Sequence, residues 1–256
     1  MGPVIDIRGV SKRYWLRKNR SGDIKSRVLA MVHKDKREVR DELWALRDLS
    51  LTVGRGESVG LVGRNGSGKS TLLKLIAGIH RPTEGSVLVS RNIQIGTLIE
   101  LGIGFHLELS GRENVHLNAA IHGMSAAQIE EIYPAVVEYS GLRDFMDVQL
   151  KNYSSGMQMR LAFSVAANLD PDVLLLDEIF AVGDEEFQKQ CRRTMDQFLA
   201  AGKTILFVSH SAYTVREVCR RVCLLEHGQL LFDGPVDDGM QAYYDLIVKS
   251  PATPSV

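Results

Sequence analysis

The sequence has no excess charge of either sign, few cysteines and no long apolar run, and each of these absences narrows the possible functions. Its 31 Lys and Arg residues balance 31 Asp and Glu residues, so the whole-chain charge gives no support to a protein that coats nucleic acid. No run of about 18 apolar residues occurs, so we expect no membrane-spanning helix. The first residues alternate polar and apolar side chains without the apolar core of an export signal. These absences predict a cytosolic protein.

Cysteine occurs three times, at Cys191, Cys219 and Cys223. The count is odd, and a C-x3-C pair without a nearby histidine is a poor metal site. We therefore expect reduced thiols that pack in the core. With 256 residues, 45% of them hydrophobic, the chain is long enough to fold around a sizeable core without disulfides or metals.

The balanced charge conceals a basic segment. Residues 12–40 contain eleven basic and three acidic side chains, a local charge of +8 that the rest of the chain cancels. We predict an inserted basic arm over residues 12–43, in which Val28, Leu29, Met31 and Val32 form the narrow apolar face of a helix. A solvated surface loop is the alternative interpretation.

The rest of the chain alternates strand-like and helix-like segments. Strands are predicted at 4–8, 44–51, 58–62, 87–89, 93–98, 173–177, 204–208, 221–226 and 229–232, and helices at 69–77, 126–140, 159–169, 185–200, 211–219 and 237–248. Ser125 and Gly141 are expected to begin and end the second helix, residues 81–85 to form a turn, and residues 250–256 to be a flexible tail. The runs 173–176 and 205–208 are continuously apolar, as in parallel strands covered on both faces. The pattern predicts an α/β fold with a β-rich start and an inserted helical subdomain at about 105–170.

A phosphate-binding motif lies between the strand 58–62 and the helix that begins near Lys69. It has the form G-x4-G-K-[ST] in the strand-to-helix context that this motif requires. The candidate nucleotide-binding residues are Gly63, Asn65, Gly66, Ser67, Gly68, Lys69, Ser70 and Thr71. Backbone N–H groups and a helix N-terminus would hold phosphate oxygens, Lys69 would reach the β- and γ-phosphates, and Ser70 would bind Mg²⁺. The motif predicts a nucleotide site in a P-loop NTPase core.

The second half of that site is the pair Asp177-Glu178, which follows an apolar strand. Asp177 is expected at the carboxyl end of the strand, where α/β sheets bind ligands, and would hold Mg²⁺ through water. Glu178 would orient and activate a water for in-line attack on the γ-phosphate. Adjacent carboxylates also occur at ordinary solvated strand ends, but the P-loop makes the catalytic interpretation the stronger one.

Four further features decide the kind of P-loop protein. They are Tyr14 near the start, Tyr153-Ser154-Ser155-Gly156-Met157 before a helix, Ala181-Val182-Gly183-Asp184 after the acidic pair, and Val208-Ser209-His210 after a buried strand. In this order, and with the P-loop, they resemble the ATP-binding subunit of an ABC transporter. The resemblance implies a RecA-like core with an N-terminal antiparallel β subdomain and an inserted helical subdomain, all in one nucleotide-binding domain.

The resemblance also implies roles for these residues. Tyr14 would stack on adenine, although Tyr14 or the adjacent Trp15 could instead pack against the arm. Ser154, Ser155 and Gly156 would complete the ATP site of a second copy, with Asp184 at the dimer interface. His210 would contact the γ-phosphate, and Glu100 stands near the place of the family's glutamine at Mg²⁺ and water.

The resemblance extends to a subgroup. Leu98–His106, Leu109–Asn114 and Phe180–Asp184 look like the ATPases that export lipid-linked polysaccharides such as O-antigen, capsule and teichoic acids. Two departures are Ser154-Ser155-Gly156-Met157 in place of the more common L-S-G-G-Q, and the bulky Phe180. Some members carry a C-terminal sugar-binding domain, which we do not expect here.

We therefore predict the ATPase subunit of an O-antigen-like polysaccharide exporter, with ATP and Mg²⁺ as cofactors. Its expected partners are a second copy of itself, an integral-membrane permease, in two copies, and a polyprenyl-linked glycan, but no nucleic acid. The expected location is the cytoplasmic face of the inner membrane. Alternatives are a teichoic acid or capsule exporter, a soluble ABC ATPase of repair, translation or cofactor assembly, and a small-molecule or nucleotide kinase.

Overall fold

The computed structural model describes residues 2–17, 40–98, 104–177, 184–209 and 211–249. The predicted apolar face of the basic arm and the tail lie outside these residues. Within them, no helix is both long enough and apolar enough to cross a membrane.

The N-terminal part forms a three-stranded antiparallel sheet in the order β2-β1-β4. Its strands are β1 (Ile5–Arg17), β2 (Arg40–Val53) and β4 (Glu84–Val89). The first two are much longer than predicted: β1 pairs with β2 as far as Arg17 opposite Arg40, so both ends of the predicted arm are strand. The register shifts between Ile7 and Val10 and again near Lys12. Such bulges interrupt the alternation of side chains, which is the signal that sequence reasoning follows.

The central sheet has six strands in the order β5-β6-β7-β3-β8-β9. They are β3 (Ser58–Val62), β5 (Ile95–Leu98), β6 (Val173–Asp177), β7 (Thr204–Val208), β8 (Arg221–Glu226) and β9 (Gln229–Pro235). All neighbours are parallel except β8 and β9. The continuous apolar strands β6 and β7 are fully buried apart from Asp177, which confirms the predicted parallel core. Small errors of boundary remain, because β4 begins inside the predicted turn and β9 runs three residues beyond its predicted end.

Seven α-helices lie in the described part of the chain. They are α1 (Lys69–Ile76), α2 (Gly111–Ile121), α3 (Ala126–Ser140), α4 (Ser155–Asn168), α5 (Glu185–Ala200), α6 (Ala212–Val218) and α7 (Val236–Lys249). The predicted cap at Ser125 is confirmed by a reciprocal capping box with Gln128, and Gly141 ends α3 in the left-handed conformation. Sequence patterns did not separate α2 from the rest of the helical region, although Ser110 and Glu113 form a second capping box at its start.

The helices α2 and α3 form an insertion between β5 and β6, and α4 joins that insertion to the central sheet. Leu161 and Val165 of α4 belong to the core of the insertion. Ala162 and Phe163, on the other side of α4, pack in the core beneath the sheet. Because one helix contributes to both cores, it fixes the insertion against the sheet.

All three cysteines are free and buried, as predicted. Burial raises the pKa of Cys191 and of Cys219 to about 12, so neither thiol is ionised near neutral pH.

Candidate nucleotide site

The P-loop runs from the end of β3 to the start of α1, as the motif predicted. Gly63 has φ +148, and a Cβ there would lie 2.1 Å from the carbonyl oxygen of Leu225. Gly68 has φ +108, and its Cβ would lie 2.6 Å from the carbonyl oxygen of Ala45. Only glycine fits at both positions, since each combines a left-handed backbone with contact to a neighbouring main chain. The loop is thus enclosed by β8 and β2.

The side chain of Lys69 is buried within this loop. Its Nζ donates hydrogen bonds to the carbonyl oxygens of Gly63, at 2.8 Å, and Arg64, at 3.0 Å. Burial lowers the pKa of Lys69, while the nearby charges of Asp177 and Glu226 act in the opposite direction. A buried ammonium group surrounded by oxygen acceptors is a preformed cationic centre for an anionic ligand.

Ser70 and Asp177, predicted from separate motifs, come together. The Ser70 hydroxyl donates a hydrogen bond to Oδ2 of Asp177 at 2.8 Å, across a sequence separation of 107 residues. This contact joins the start of α1 to the carboxyl end of β6. Hydroxyl and carboxylate oxygens are ligands that Mg²⁺ prefers, so the donor set fits that ion.

The hydroxyl of Ser67 is buried and has no hydrogen-bond partner among the described residues. Buried polar atoms usually have a partner, and an orphan of this kind is explained by a missing ligand or water. Together with the glycine cradle, it fits a loop that holds phosphate.

A cavity of about 470 Å³ lies over the loop. One side consists of the P-loop residues Asn65 to Thr71 with Asp177, and the other consists of Tyr14, Leu43, Trp44 and Ala45. Tyr14 thus lines the cavity opposite the P-loop, and its ring meets that of His80 edge to face at 5.8 Å between ring centroids. Sequence reasoning missed Leu43 and Trp44, because their position depends on the register that sets Tyr14 opposite Leu43.

The predicted residues Ser154, Ser155 and Gly156, here called the signature residues, lie outside this cavity, and α4, whose start they form, is called the signature helix. Ser154 is the N-cap of α4, and its hydroxyl accepts a hydrogen bond from the Met157 N–H at 3.2 Å. Ser155 occupies the first turn and is exposed, whereas Gly156 is half-buried. None of these three residues lines the cavity of its own chain. Within one chain, the P-loop and the start of α4 are therefore separate.

Asp184 caps α5 and forms an ion pair with Arg160 of α4. The hydrogen bond from the Phe187 N–H and the nearby positive charge of Arg160 lower the pKa of the Asp184 carboxyl. The predicted interface residue is thus held at the junction of two helices. Three other predicted site residues, Glu100, Glu178 and His210, lie outside the described residues.

Comparisons with known proteins find relatives of this chain. A family model described as ABC transporter matches residues 46–181. The chain is 42% identical over 247 residues to the ABC transporter protein AbcA of Aeromonas salmonicida, covering 96% of this chain and 77% of that protein. It is 40% identical over 243 residues to the O-antigen export system ATP-binding protein RfbB of Klebsiella pneumoniae, covering 95% of this chain and 98% of that protein. It is 37% identical over 243 residues to the teichoic acids export ATP-binding protein TagH of a Listeria monocytogenes strain, covering 95% of this chain and 70% of that protein.

The fold is also found among solved structures. An ATP-binding subunit of an ABC transporter superposes with a TM-score of 0.73 at 22% identity, covering 96% of this chain and 98% of that one. A dimeric ATP-binding cassette superposes with a TM-score of 0.71, also at 22% identity, covering 91% and 98%.

Proposed function

Because the chain belongs to the ABC transporter ATPase family, we propose that it is the ATP-hydrolysing subunit of an exporter of lipid-linked polysaccharide. The observation that carries the proposal is the contact between Ser70 and Asp177 beside the buried Lys69. It joins the phosphate loop to the acidic strand end in a single cavity. The exported class follows from relatives of 37 to 42% identity, which include one protein named for O-antigen export and one named for teichoic acid export. O-antigen-like glycan is the preferred substrate, and teichoic acid or capsular polysaccharide is the alternative.

The residues of the loop divide the work of binding. Loop N–H groups and the Lys69 ammonium hold the phosphate oxygens, and the Ser67 hydroxyl gains the partner that it lacks in the described residues. Tyr14 and Trp44 offer aromatic surface to the base. Mg²⁺, held by Ser70 and Asp177, would neutralise charge on the β- and γ-phosphates. Glu100 is the proposed further residue near that ion.

Hydrolysis requires a positioned water. Glu178 follows directly in the sequence after Asp177, which lines the cavity. We assign it the role of orienting the water and accepting its proton, and we assign His210 the contact with the γ-phosphate. Loss of a positioned base typically slows such a reaction about 10²- to 10⁴-fold.

A second copy of the chain supplies the rest of the site. The first turn of α4 does not line the cavity of its own chain, and the N–H groups at a helix start attract anions. In the proposed dimer, Ser154, Ser155 and Gly156 of one copy approach the γ-phosphate bound to the other. ATP then holds the two copies together and its hydrolysis releases them, which is the two-state element that drives transport.

The opening and closing of the proposed dimer must be transmitted to a membrane protein. We propose a pair of permease subunits as the membrane partner, with this chain at their cytoplasmic face. β1 and β2, whose paired residues Tyr14 and Leu43 line the cavity, continue along the sequence into the basic arm. A local charge of +8 would attract the pyrophosphate of a polyprenyl-linked glycan or anionic headgroups, at about 1 kcal/mol per basic residue near an anionic surface.

The decisive experiment uses Glu178→Gln. We expect this variant to bind Mg²⁺-ATP and form a stable dimer in size-exclusion chromatography, with ATP turnover reduced about 10²- to 10⁴-fold. Lys69→Ala is the control that should neither bind ATP nor dimerise. A Glu178→Gln chain that stays monomeric with saturating Mg²⁺-ATP, alone and with its permease, would contradict the proposal.

The membrane role is tested by co-purification. The tagged chain, expressed with its chromosomal neighbours, should bring down a polytopic membrane protein and should make polyprenyl-linked glycan stimulate ATP turnover. A phosphorylated small-molecule product instead of inorganic phosphate would favour the kinase alternative.

A further inference from the structure

One arginine fastens the signature helix to the start of α5. Arg160 Nη2 donates a hydrogen bond to Oδ2 of Asp184, and the guanidinium lies over the Phe187 ring, 5.1 Å from its centroid. The other carboxylate oxygen of Asp184 accepts the Phe187 N–H at 2.9 Å. A single carboxylate therefore caps α5 and pairs with α4.

The core does not need this ion pair to hold α4 and α5 together. Below it, Phe163 packs edge to face on Phe187, with 6.1 Å between ring centroids. The neighbouring helix α3 also contacts α5, since the Tyr139 hydroxyl lies 2.6 Å from Oγ1 of Thr194. The Asp184 side chain, in contrast, is 58% exposed, and ion pairs between exposed side chains add little to stability. The ion pair therefore adds more to the geometry of this junction than to its stability.

The geometry matters because of what lies between the two helices along the chain. Asp177 and Asp184 bound a connection of six residues, and Glu178 is the first of them. Ser70 of α1 holds the Asp177 end by a hydrogen bond of 2.8 Å. Arg160 of α4 holds the Asp184 end. The two residues that flank the proposed base in the sequence are thus held, Asp177 by the P-loop helix α1 and Asp184 by α4.

We propose that Arg160 is a positioning residue for ATP turnover, which couples the Asp177–Asp184 connection to the movement of the signature helix. When ATP draws the first turn of α4 toward a second copy, Arg160 moves Asp184 with it. Without Arg160, α4 would move without Asp184. The proposed base Glu178 would then meet the γ-phosphate less often in a productive position. This inference rests on the proposed function, since it assigns Arg160 to that same site.

The test compares Arg160→Met with Arg112→Met. Both arginines pair with an aspartate and lie over an aromatic ring: Arg112 pairs with Asp147 at 3.3 Å and lies 4.7 Å from the centroid of Tyr133. Methionine keeps much of the packing but removes the charge. We expect Arg160→Met to lower the turnover number for ATP about tenfold or more, as misplacement of a reacting group can do, with binding of ATP to the monomer unchanged. Arg112→Met should retain the turnover of the unaltered chain.

A second variant separates positioning from folding. Asp184→Asn keeps an oxygen that caps α5, and asparagine is as good an N-cap as aspartate, but it loses the charge that Arg160 holds. We expect Asp184→Asn to lower turnover as Arg160→Met does, and the double variant to lower it no further, because both changes remove one interaction. A variant that is merely damaged in folding would instead lose monomer ATP binding and melting temperature together.

The outcomes distinguish this inference from the proposed function. If the unaltered chain neither hydrolyses ATP nor dimerises with it, the proposed function fails. If the unaltered chain does both and Arg160→Met turns over ATP as fast as Arg112→Met, only the role of Arg160 is overturned. Additive losses in the double variant would likewise overturn it.

Discussion

The P-loop and the signature turn bind the same kind of ligand in the proposed dimer, yet the chain builds them in opposite ways. The P-loop is enclosed: Lys69 is buried, and both Gly63 and Gly68 touch neighbouring main chain. The signature turn is open: Ser154 and Ser155 are exposed at the start of α4, and neither belongs to the cavity. A site fixed by its own surroundings can bind ligand in a single chain, whereas an exposed helix start gains its ligand only from outside.

This difference predicts which mutations act on one chain and which act on a pair. Changes in the P-loop should affect folding and nucleotide binding of the monomer. Changes in the signature turn should leave the monomer almost intact and affect dimerisation with ATP.

The largest effect is expected from Gly63→Ala, which would disrupt the enclosed P-loop. The new Cβ would lie 2.1 Å from the Leu225 carbonyl oxygen in a backbone conformation with φ +148. Since neither main chain can move without disturbing β3 or β8, we expect the free energy of unfolding to fall by at least about 3 kcal/mol. Urea denaturation measures the loss, and a fluorescent ATP analogue should no longer bind.

Gly78→Ala is the matched control for that change. Gly78 also has a positive φ, of +73, but no atom lies within 4 Å of the added Cβ. Backbone strain alone should lower the free energy of unfolding by about 1 kcal/mol, and ATP binding should be retained. Equal losses in the two variants would show that the close contact at Gly63 has no importance.

The P-loop and the signature turn also differ in how much of their structure the sequence could predict. The position of the P-loop between β3 and α1 follows from one local motif, and the position of Asp177 at the end of β6 follows from the apolar run before it. The wall formed by Leu43 and Trp44 was missed, because it depends on the pairing of β1 with β2, whose register shifts at three places. No local pattern encodes such a long-range register.

The same limit applies at the signature turn. The order of the motifs along the sequence identified Ser154 to Gly156. These residues form a helix start, as a short serine-glycine segment before an apolar run predicts. The ion pair between Arg160 and Asp184 was not predicted, since the two residues lie 24 positions apart on different helices. Their contact depends on how α4 and α5 pack, which only the three-dimensional structure determines.

A comparison of Ser154→Ala with Ser155→Ala tests the role of the exposed signature turn. The Ser154 hydroxyl caps α4, so its removal should lower the free energy of unfolding by about 1 kcal/mol. Ser155 is exposed in the first turn, and we expect its replacement to leave stability unchanged but to raise the ATP concentration needed for dimerisation. Analytical ultracentrifugation of both variants, in a Glu178→Gln background, measures that concentration. Loss of monomer ATP binding in either variant would contradict the division drawn above.

The smallest effect concerns the helical insertion that carries the signature helix. His116 of α2 has its two ring nitrogens close to two acceptors, the Arg112 carbonyl oxygen at 2.9 Å and the Glu130 carboxylate at 2.8 Å. Only the doubly protonated ring can donate to both. The hydrogen bonds to Glu130 and to the Arg112 carbonyl raise the pKa of His116, against opposing effects of burial and of the Arg112 charge.

The sign of the pH dependence follows from that direction. A group whose pKa is higher in the folded chain stabilises the fold fully below its unfolded pKa, here 6.5, and loses that effect as pH rises through the folded value. The Glu130 side chain is 68% exposed, so screening by solvent limits the contribution to less than about 1 kcal/mol. We therefore expect the free energy of unfolding of the unaltered chain, relative to His116→Gln, to be greatest below pH 6.5 and to fall as the pH is raised above it. Glu130→Gln should reduce this difference, since it removes the charged acceptor, and urea denaturation at a series of pH values would measure both. A difference that stayed constant with pH would mean that His116 binds no extra proton in the folded insertion, and that α2 and α3 are joined by packing alone.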